Sequence, residues 1–410
     1  MTLTAPSAPF AFVPADHPLR PVLDAILADL PAQRATLPAA GARVVAEARG
    51  RRDGAGWTAD RVYCSLQATD PATGSFDART VLWSAANREP QWVRLPEDPY
   101  LPGLAACVAP AGADGIEVLR YVPLRRFTYR TGRRVVKVKR RSRLLDSWSR
   151  AQAVAHAAPR SGQRVPALLG LDQERSCYTQ VDEQRPALSD QAAGSALAPL
   201  LGEAGAVHAR FHRIPAAPLP AGEGPDAVLG AALRSASWAS AMLPALAGVL
   251  QRAGARLAST VPHPAGADDL ATCHGDLVPS HLLGGSGDWC VIDLDLAHRG
   301  DRYQDLAMFV AGLAYDVPAL ADGVAADPTQ ARAATAYLDG YRDTHAHRLD
   351  EDRLRWHLLA AHVHHAGLLV TKDRAHPAAV TGTLARLEAA LDAVGRARAG
   401  PRRSLLGGAA

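Results

Sequence analysis

Apolar residues recur along this chain with two different periods, and the change from one to the other divides it. Near the start, Val22, Ile26, Leu27 and Leu30 fall on one face of an amphipathic helix. From Arg61 the texture changes: Arg61–Gln67 and Ala78–Trp83 have the composition of strands, joined by the turn-rich Asp70–Gly74. Pro96, Pro99, Pro102 and Gly103 then break every regular pattern, so Pro96–Gly103 reads as a linker. Beyond it, Glu117–Val122, Arg126–Arg130 and Val135–Val138 predict a three-stranded antiparallel sheet, with turns at Pro123–Leu124 and Thr131–Arg133. Leu144–His156 is predicted as a helix, and Val165–Gly170 and Cys177–Val181 as strands. A helical half begins in residues 190–213, with Leu197, Leu200, Leu201, Val207 and Phe211, and returns at Ala333–Gly340 and Leu354–Leu369. One hairpin interrupts it: Leu282–Leu283, the turn Gly284–Asp288, and Trp289–Ile292.

Composition narrows the classes. With 410 residues, 48% of them hydrophobic, the chain exceeds one simple core, and two or three domains are expected. A net charge of +4 from 45 basic and 41 acidic residues makes no general case for a nucleic-acid or membrane partner. The local basic runs Arg133–Arg134 and Lys137–Arg143 lack interleaved aromatic residues and read as a solvated strand edge. Cys64, Cys107, Cys177, Cys273 and Cys290 form no Cys-x-x-Cys pair, so neither a disulfide framework nor a structural zinc site is expected. The first residues lack a basic start, and Pro6, Pro9 and Pro14 interrupt their apolar run, which argues against a signal peptide or membrane helix and for a cytoplasmic protein. The tail from Arg396 is expected to be disordered.

The chemistry concentrates in Thr272–Leu306, which holds His274, Asp276, His281, Asp293, Asp295, Asp301 and Asp305. The predicted hairpin folds Asp293 back towards Asp276. A carboxylate just before one strand and another just after its partner can face a single point, the arrangement that metal-assisted phosphoryl transfer needs. His274 reads as a hydrogen-bonding strut and Asp305 as a brace of the loop, while Asp295 stays open between the surroundings of a metal and structure. On the last strand of the predicted sheet, Lys137 can reach nucleotide phosphates as a point charge; Lys139, two residues on, points to the same face and is its rival.

His274-Gly275-Asp276, the polar residue five positions later, Ile292-Asp293 and Gly300–Ala307 together resemble the catalytic block of the aminoglycoside phosphotransferase family. That family includes kinases of sugars, amino sugars, choline and natural products. The resemblance implies an α+β, two-lobed protein-kinase-like fold. Behind an added N-terminal cap at 1–112, set off by the Pro96–Gly103 linker, its parts would be a nucleotide-binding sheet lobe at 113–182, a mainly helical lobe at 183–395 carrying the catalytic block, and the tail at 396–410. It also implies Asp276 as catalytic base, Asp293 as main magnesium ligand, Lys137 on the phosphates, ATP and Mg2+ as cofactors, and a small-molecule hydroxyl as acceptor.

Three positions depart from the family pattern. His281 stands where the family usually has Asn, sometimes Gln, and offers a second metal ligand only through an imidazole nitrogen. The turn Val122–Arg125 has no glycine, so phosphate charge would have to be met by Arg125 or Arg126. Leu144–His156 carries Asp146 and Gln152 where a typical kinase places a glutamate. Two other readings stay open: a metal-dependent hydrolase using His274, Asp276, His281 and Asp293 around a transition metal, and a nucleotide-binding pseudokinase. The helical half shows no strongly acidic cluster, so a sugar, amino sugar or less charged natural product suits it at least as well as a polycationic aminoglycoside.

Overall fold

A computed structural model describes residues 20–21, 23–25, 28, 43–53, 56–70, 76–84, 90–108, 116–191, 197–215, 218–285, 287–316, 328–345, 348–371 and 377–396. Val22, Ile26, Leu27 and Leu30 of the expected first helix, and the expected tail beyond Arg396, lie outside them.

Strands β1 (Arg43–Asp53), β2 (Gly56–Thr69), β3 (Phe76–Ser84) and β4 (Gln91–Arg94) form an antiparallel meander in sequence order, followed by the short helix α1 (Leu104–Val108). A second sheet contains β5 (Glu117–Val122), β6 (Arg126–Thr131), β7 (Arg134–Lys139), β8 (Leu168–Asp172) and β9 (Cys177–Val181), in the order β5-β6-β7-β9-β8, with helix α2 (Arg141–Ala157) between β7 and β8. The three strands expected from alternation are therefore joined by two more. Strand β7 lies between β6 and β9 and is buried from Val135 to Lys139, because both of its faces are covered. Alternation sends Val136 and Val138 to one face and Lys137 and Lys139 to the other.

The helical lobe holds α3 (Leu188–Gln191), α4 (Leu197–His212), α5 (Pro225–Met242), α6 (Pro244–Ser259), α7 (Arg302–Asp316), α8 (Pro328–Thr344), α9 (Glu351–Thr371) and α10 (Pro377–Arg396). Two small antiparallel pairs are set into it: β11 (Leu282–Gly285) with β12 (Asp288–Val291), and β10 (Leu270–Cys273) with β13 (His298–Asp301). Helices α4 and α8 cross at glycines. A Cβ on Gly205 would lie 1.9 Å from the Tyr337 carbonyl oxygen, and one on Gly340 would lie 1.9 Å from that of Gly202.

The first sheet is a layer between the lobes. Paired residues of β2 and β3 share a face, so Val62, Cys64, Leu66 and Val81 point one way, into the apolar cluster built by α5, α6, α9 and α10. Phe76 and Ala78 point the other way and pack with Tyr121, Phe127 and Tyr129 of the second sheet. Gln67 shares that second face, and its amide donates to the Tyr121 carbonyl at 3.2 Å. Pro96–Gly103, expected as a linker, departs from that reading: Asp98 and Leu101 within it are buried.

Candidate active site

Strand β10 ends at Cys273 and delivers His274-Gly275-Asp276 to the cleft between the lobes. Gly275 has φ 81°, and a Cβ there would lie 2.7 Å from the Leu296 carbonyl oxygen, so no larger residue fits the turn. Asp305, in the first turn of α7, holds the loop from behind: Oδ2 accepts the His274 amide at 2.7 Å and Oδ1 the Gly275 amide at 2.9 Å. Both nitrogens of His274 are occupied by backbone, Nε2 with the Ile292 carbonyl at 2.8 Å and Nδ1 with the Asp276 amide at 3.3 Å. It is a strut. A hydrolase in which His274 ligates a metal has no lone pair to work with.

Behind Asp305 stand two histidines that the motif did not point to. His208 Nε2 and His212 Nε2 lie 3.0 and 3.3 Å from Asp305 Oδ2. An ionised carboxylate only accepts, so both nitrogens carry the proton, and each Nδ1 accepts a hydroxyl, from Tyr337 and Tyr341 respectively. Among the described residues these three side chains are the cluster whose donor atoms converge as a metal site would, but its ring nitrogens are already committed. Burial opposes ionisation of Asp305, yet the hydrogen bonds from His208 and His212 hold it well below the ordinary carboxylate range. Burial, helped by the neighbouring His208, outweighs the pull of Asp305 and pushes His212 down to about 3. The signal was the spacing of 208 and 212, one helical turn apart on an otherwise apolar face.

Asp293 leaves β12 in a left-handed conformation, φ 63° and ψ 50°, which an aspartate tolerates better than most residues. This turns its carboxylate towards the small lobe. Lys137 Nζ meets Oδ1 at 2.7 Å and Arg126 meets Oδ2 at 3.1 Å, so two cations of the sheet lobe contact one acid of the helical lobe. Burial raises the Asp293 pKa, but the charges of Lys137 and Arg126 outweigh it and keep the group ionised. Burial likewise opposes charge on Lys137, and Asp293 and Asp295 more than restore it.

His281 lies beside this acid. Its Nδ1 is 2.8 Å from the Asp276 carbonyl oxygen and therefore donates, which leaves the Nε2 lone pair facing Asp293 Oδ2 at 3.5 Å. Burial pushes the ring towards its neutral form, against the pull of Asp293. Two acceptors facing each other are stabilised by a cation between them. The donor set thus fits a divalent ion, with Asp293 as the anionic ligand and His281 held in its tautomer by the Asp276 carbonyl.

A carboxylate reaches the two lysines from the helical lobe and not from α2. Asp146 on α2 pairs with Arg150 at 2.9 Å and does not reach the lysines. Asp295 does: it lies 3.6 Å from Lys137, pairs closely with Lys139, and accepts the Tyr178 hydroxyl. Lys137 and Lys139 share a face as their spacing requires, but Lys137 is the one on Asp293. Lys137 also lines a cavity of about 270 Å3 with Leu119, Val135, Leu283, Ile292 and Asp293. Arg125 is exposed at the turn, whereas its neighbour Arg126 reaches Asp293. A wider hollow of about 560 Å3, lined by Arg213, Leu219, Thr272 and Arg299 among others, contains none of the acids of the catalytic block.

The model of the phosphotransferase enzyme family matches residues 124–357, more than half of the chain and every residue named in this site except Leu119. The chain belongs to the phosphotransferase enzyme family. Membership makes it a small-molecule kinase by class. No curated protein sequence matches it. Among solved structures it is similar to a choline/ethanolamine kinase family protein from Mesorhizobium loti, at 17% identity over 72% of this chain and 94% of that one, TM-score 0.46. It is also similar to a thermostable mutant of the aminoglycoside phosphotransferase APH(4)-Ia, at 17% identity over 70% and 95%, TM-score 0.49. A third is the aminoglycoside phosphotransferase APH(3'')-Id from Streptomyces rimosus, at 16% identity over 64% and 97%, TM-score 0.46.

Proposed function

We propose that this phosphotransferase moves the γ-phosphoryl group of ATP, with Mg2+, to a hydroxyl of a sugar, amino sugar or other natural product. The observation that carries the reading is the meeting of Lys137 and Asp293 across the cleft, 2.7 Å apart, beside the loop that presents Asp276. Lys137 would hold phosphate oxygens as it gives up part of its pairing with Asp293, while Asp295 keeps it charged and in place. Arg126 supplies a second positive charge at the same acid, and Arg125 stands at the exposed end of the turn. Asp293 and His281 would hold the metal, whose contribution when bound is to neutralise triphosphate charge. Asp276 orients the acceptor hydroxyl and takes its proton. Among the described residues none donates a hydrogen bond to that carboxylate, so its oxygens remain available to the acceptor.

Asp305 contributes through the backbone, keeping the Asp276 loop in one shape. Supporting a cytoplasmic setting, Cys107, Cys177, Cys273 and Cys290 are buried free thiols; no helix among the described residues is long and apolar enough to cross a membrane. The deciding experiment is a panel of hydroxyl compounds assayed for ADP release with and without magnesium. A hit dependent on Asp276 supports the reading; ATP binding without turnover across the panel would favour a pseudokinase.

A further inference from the structure

The turn between β5 and β6, Val122–Arg125, stands where the proposed kinase needs a loop over the triphosphate, yet it has no glycine with which to shape one. It is shaped from outside the sheet. Leu124 has φ 62°, a conformation that a residue with a side chain keeps only when its surroundings enforce it. Its side chain is 3% exposed. Its amide donates to Asp98 Oδ2 at 2.7 Å, and its carbonyl accepts from the Arg140 guanidinium. That guanidinium in turn lies over the Tyr100 ring, 5.1 Å from its centroid. Both ends of the held residue therefore run back to Asp98–Tyr100, a stretch that precedes the sheet lobe and falls outside the family match.

Asp98 is wholly committed to this task. It is 3% exposed, and its Oδ2 also accepts the Tyr121 hydroxyl at 3.0 Å while Oδ1 accepts the Tyr100 amide at 2.9 Å. A buried carboxylate is costly unless it is satisfied in this way, and here one of the donors is the turn itself. Two residues beyond Leu124, Arg126 reaches Asp293 at 3.1 Å, so the pinned turn adjoins the acid proposed to hold the metal.

We propose that Asp98 is a positioning residue for nucleotide binding: the N-terminal segment sets the Leu124 turn in the shape that receives the triphosphate, in place of a glycine-rich sequence. The inference rests on the kinase reading above. A carboxylate that merely stapled the N-terminal segment to the sheet lobe would matter for stability alone. One that shapes the loop must also matter for nucleotide affinity.

The test compares full-length wild type, Asp98→Ala, Asp98→Asn and Tyr121→Phe by ATP titration, steady-state kinetics and amide hydrogen exchange. Asp98→Ala should bind ATP about tenfold more weakly and raise KM for ATP similarly, with kcat at saturating ATP within about threefold. Asp98→Asn keeps an oxygen for the Leu124 amide and should recover most of the affinity. Tyr121→Phe removes a different donor from the same carboxylate; it should lower the melting temperature and leave ATP affinity within about twofold. Unchanged affinity in a folded Asp98→Ala, or an equal loss in Tyr121→Phe, overturns the proposal. Should Asp98→Ala fail to fold, exchange in the wild type with and without ATP decides: a Leu124 amide protected without nucleotide and slowed further by ATP supports the proposal, and exchange as fast as in an open turn, or unchanged by ATP, overturns it. If the wild type binds no ATP, the nucleotide reading itself falls and this inference falls with it.

Discussion

Asp276 and Asp293 flank one hairpin, but they differ in what surrounds the carboxylate, and their variants should fail differently. Asp276→Asn keeps a group able to hydrogen-bond the acceptor but not to take its proton, so turnover should drop about 100-fold or more while ATP affinity is spared. Undiminished turnover would return Asp276 to a structural role. Asp293 is where Lys137 and Arg126 converge. Asp293→Ala should abolish turnover and make nucleotide affinity indifferent to magnesium; titrations of ATP at two magnesium concentrations read this directly, and a retained magnesium dependence would dismiss the assignment. The placement of Asp276 and Asp293 about one hairpin and the strut role of His274 were legible from local spacing, whereas along β7 spacing put Lys137 and Lys139 on one face without choosing between them. Arg126, Asp295 and the His208–His212 pair acquire their roles only through contacts with residues more than ninety positions away, which no local pattern carries.

At the scale of elements, alternation and turn chemistry located β5, β6, β7 and the β11–β12 hairpin, since each is a short run bounded by strong punctuation. Helices α5, α6 and α10 escaped. Helix α5, PDAVLGAALRSASWASAM, is built from small residues that blur the contrast between its faces. The crossing of α4 and α8 uses small residues differently and gives a sharp expectation. Gly205→Ala and Gly340→Ala each place a methyl 1.9 Å from a carbonyl oxygen, so each should destabilise by about 2 to 3 kcal/mol, read as a lower urea midpoint. Gly202 has its nearest neighbour at 3.7 Å; there alanine should be neutral, or gain up to about 1 kcal/mol of helix propensity. Similar losses at all three positions would mean that the helices do not meet as described.

For the molecule as a whole, acid should act in two stages. His212 is held at about 3 against an ordinary 6.5, so below 6.5 the unfolded chain takes up a proton that the folded chain refuses. Its contribution is complete above 6.5 and declines as the pH falls towards 3. Asp301 is held at about 2 against 3.8: burial opposes this, but hydrogen bonds from His357 and Arg353 prevail. Its contribution is complete above 3.8 and is lost towards 2. Urea midpoints should therefore fall first through the histidine range, between about pH 7 and about pH 4, and again below about pH 4, and His212→Gln should shrink that upper stage. A fall of the same size in the variant would place the titrating group elsewhere. A helical half could be anticipated from the change of period at 190–213, but not the layer between the lobes, because β1 and β4 lack the strand composition that marked β2 and β3. That layer bears on the pace of the catalytic cycle. With one face of β2–β3 in the helical cluster and the other against the sheet lobe, a wide hinge motion would have to shear two apolar contacts at once. On the kinase reading proposed above, such a restraint would leave spent nucleotide to escape through narrow breathing of the cleft and make departure of ADP the slow event; acceptors of very different reactivity should then converge on a single kcat that varies with solvent viscosity.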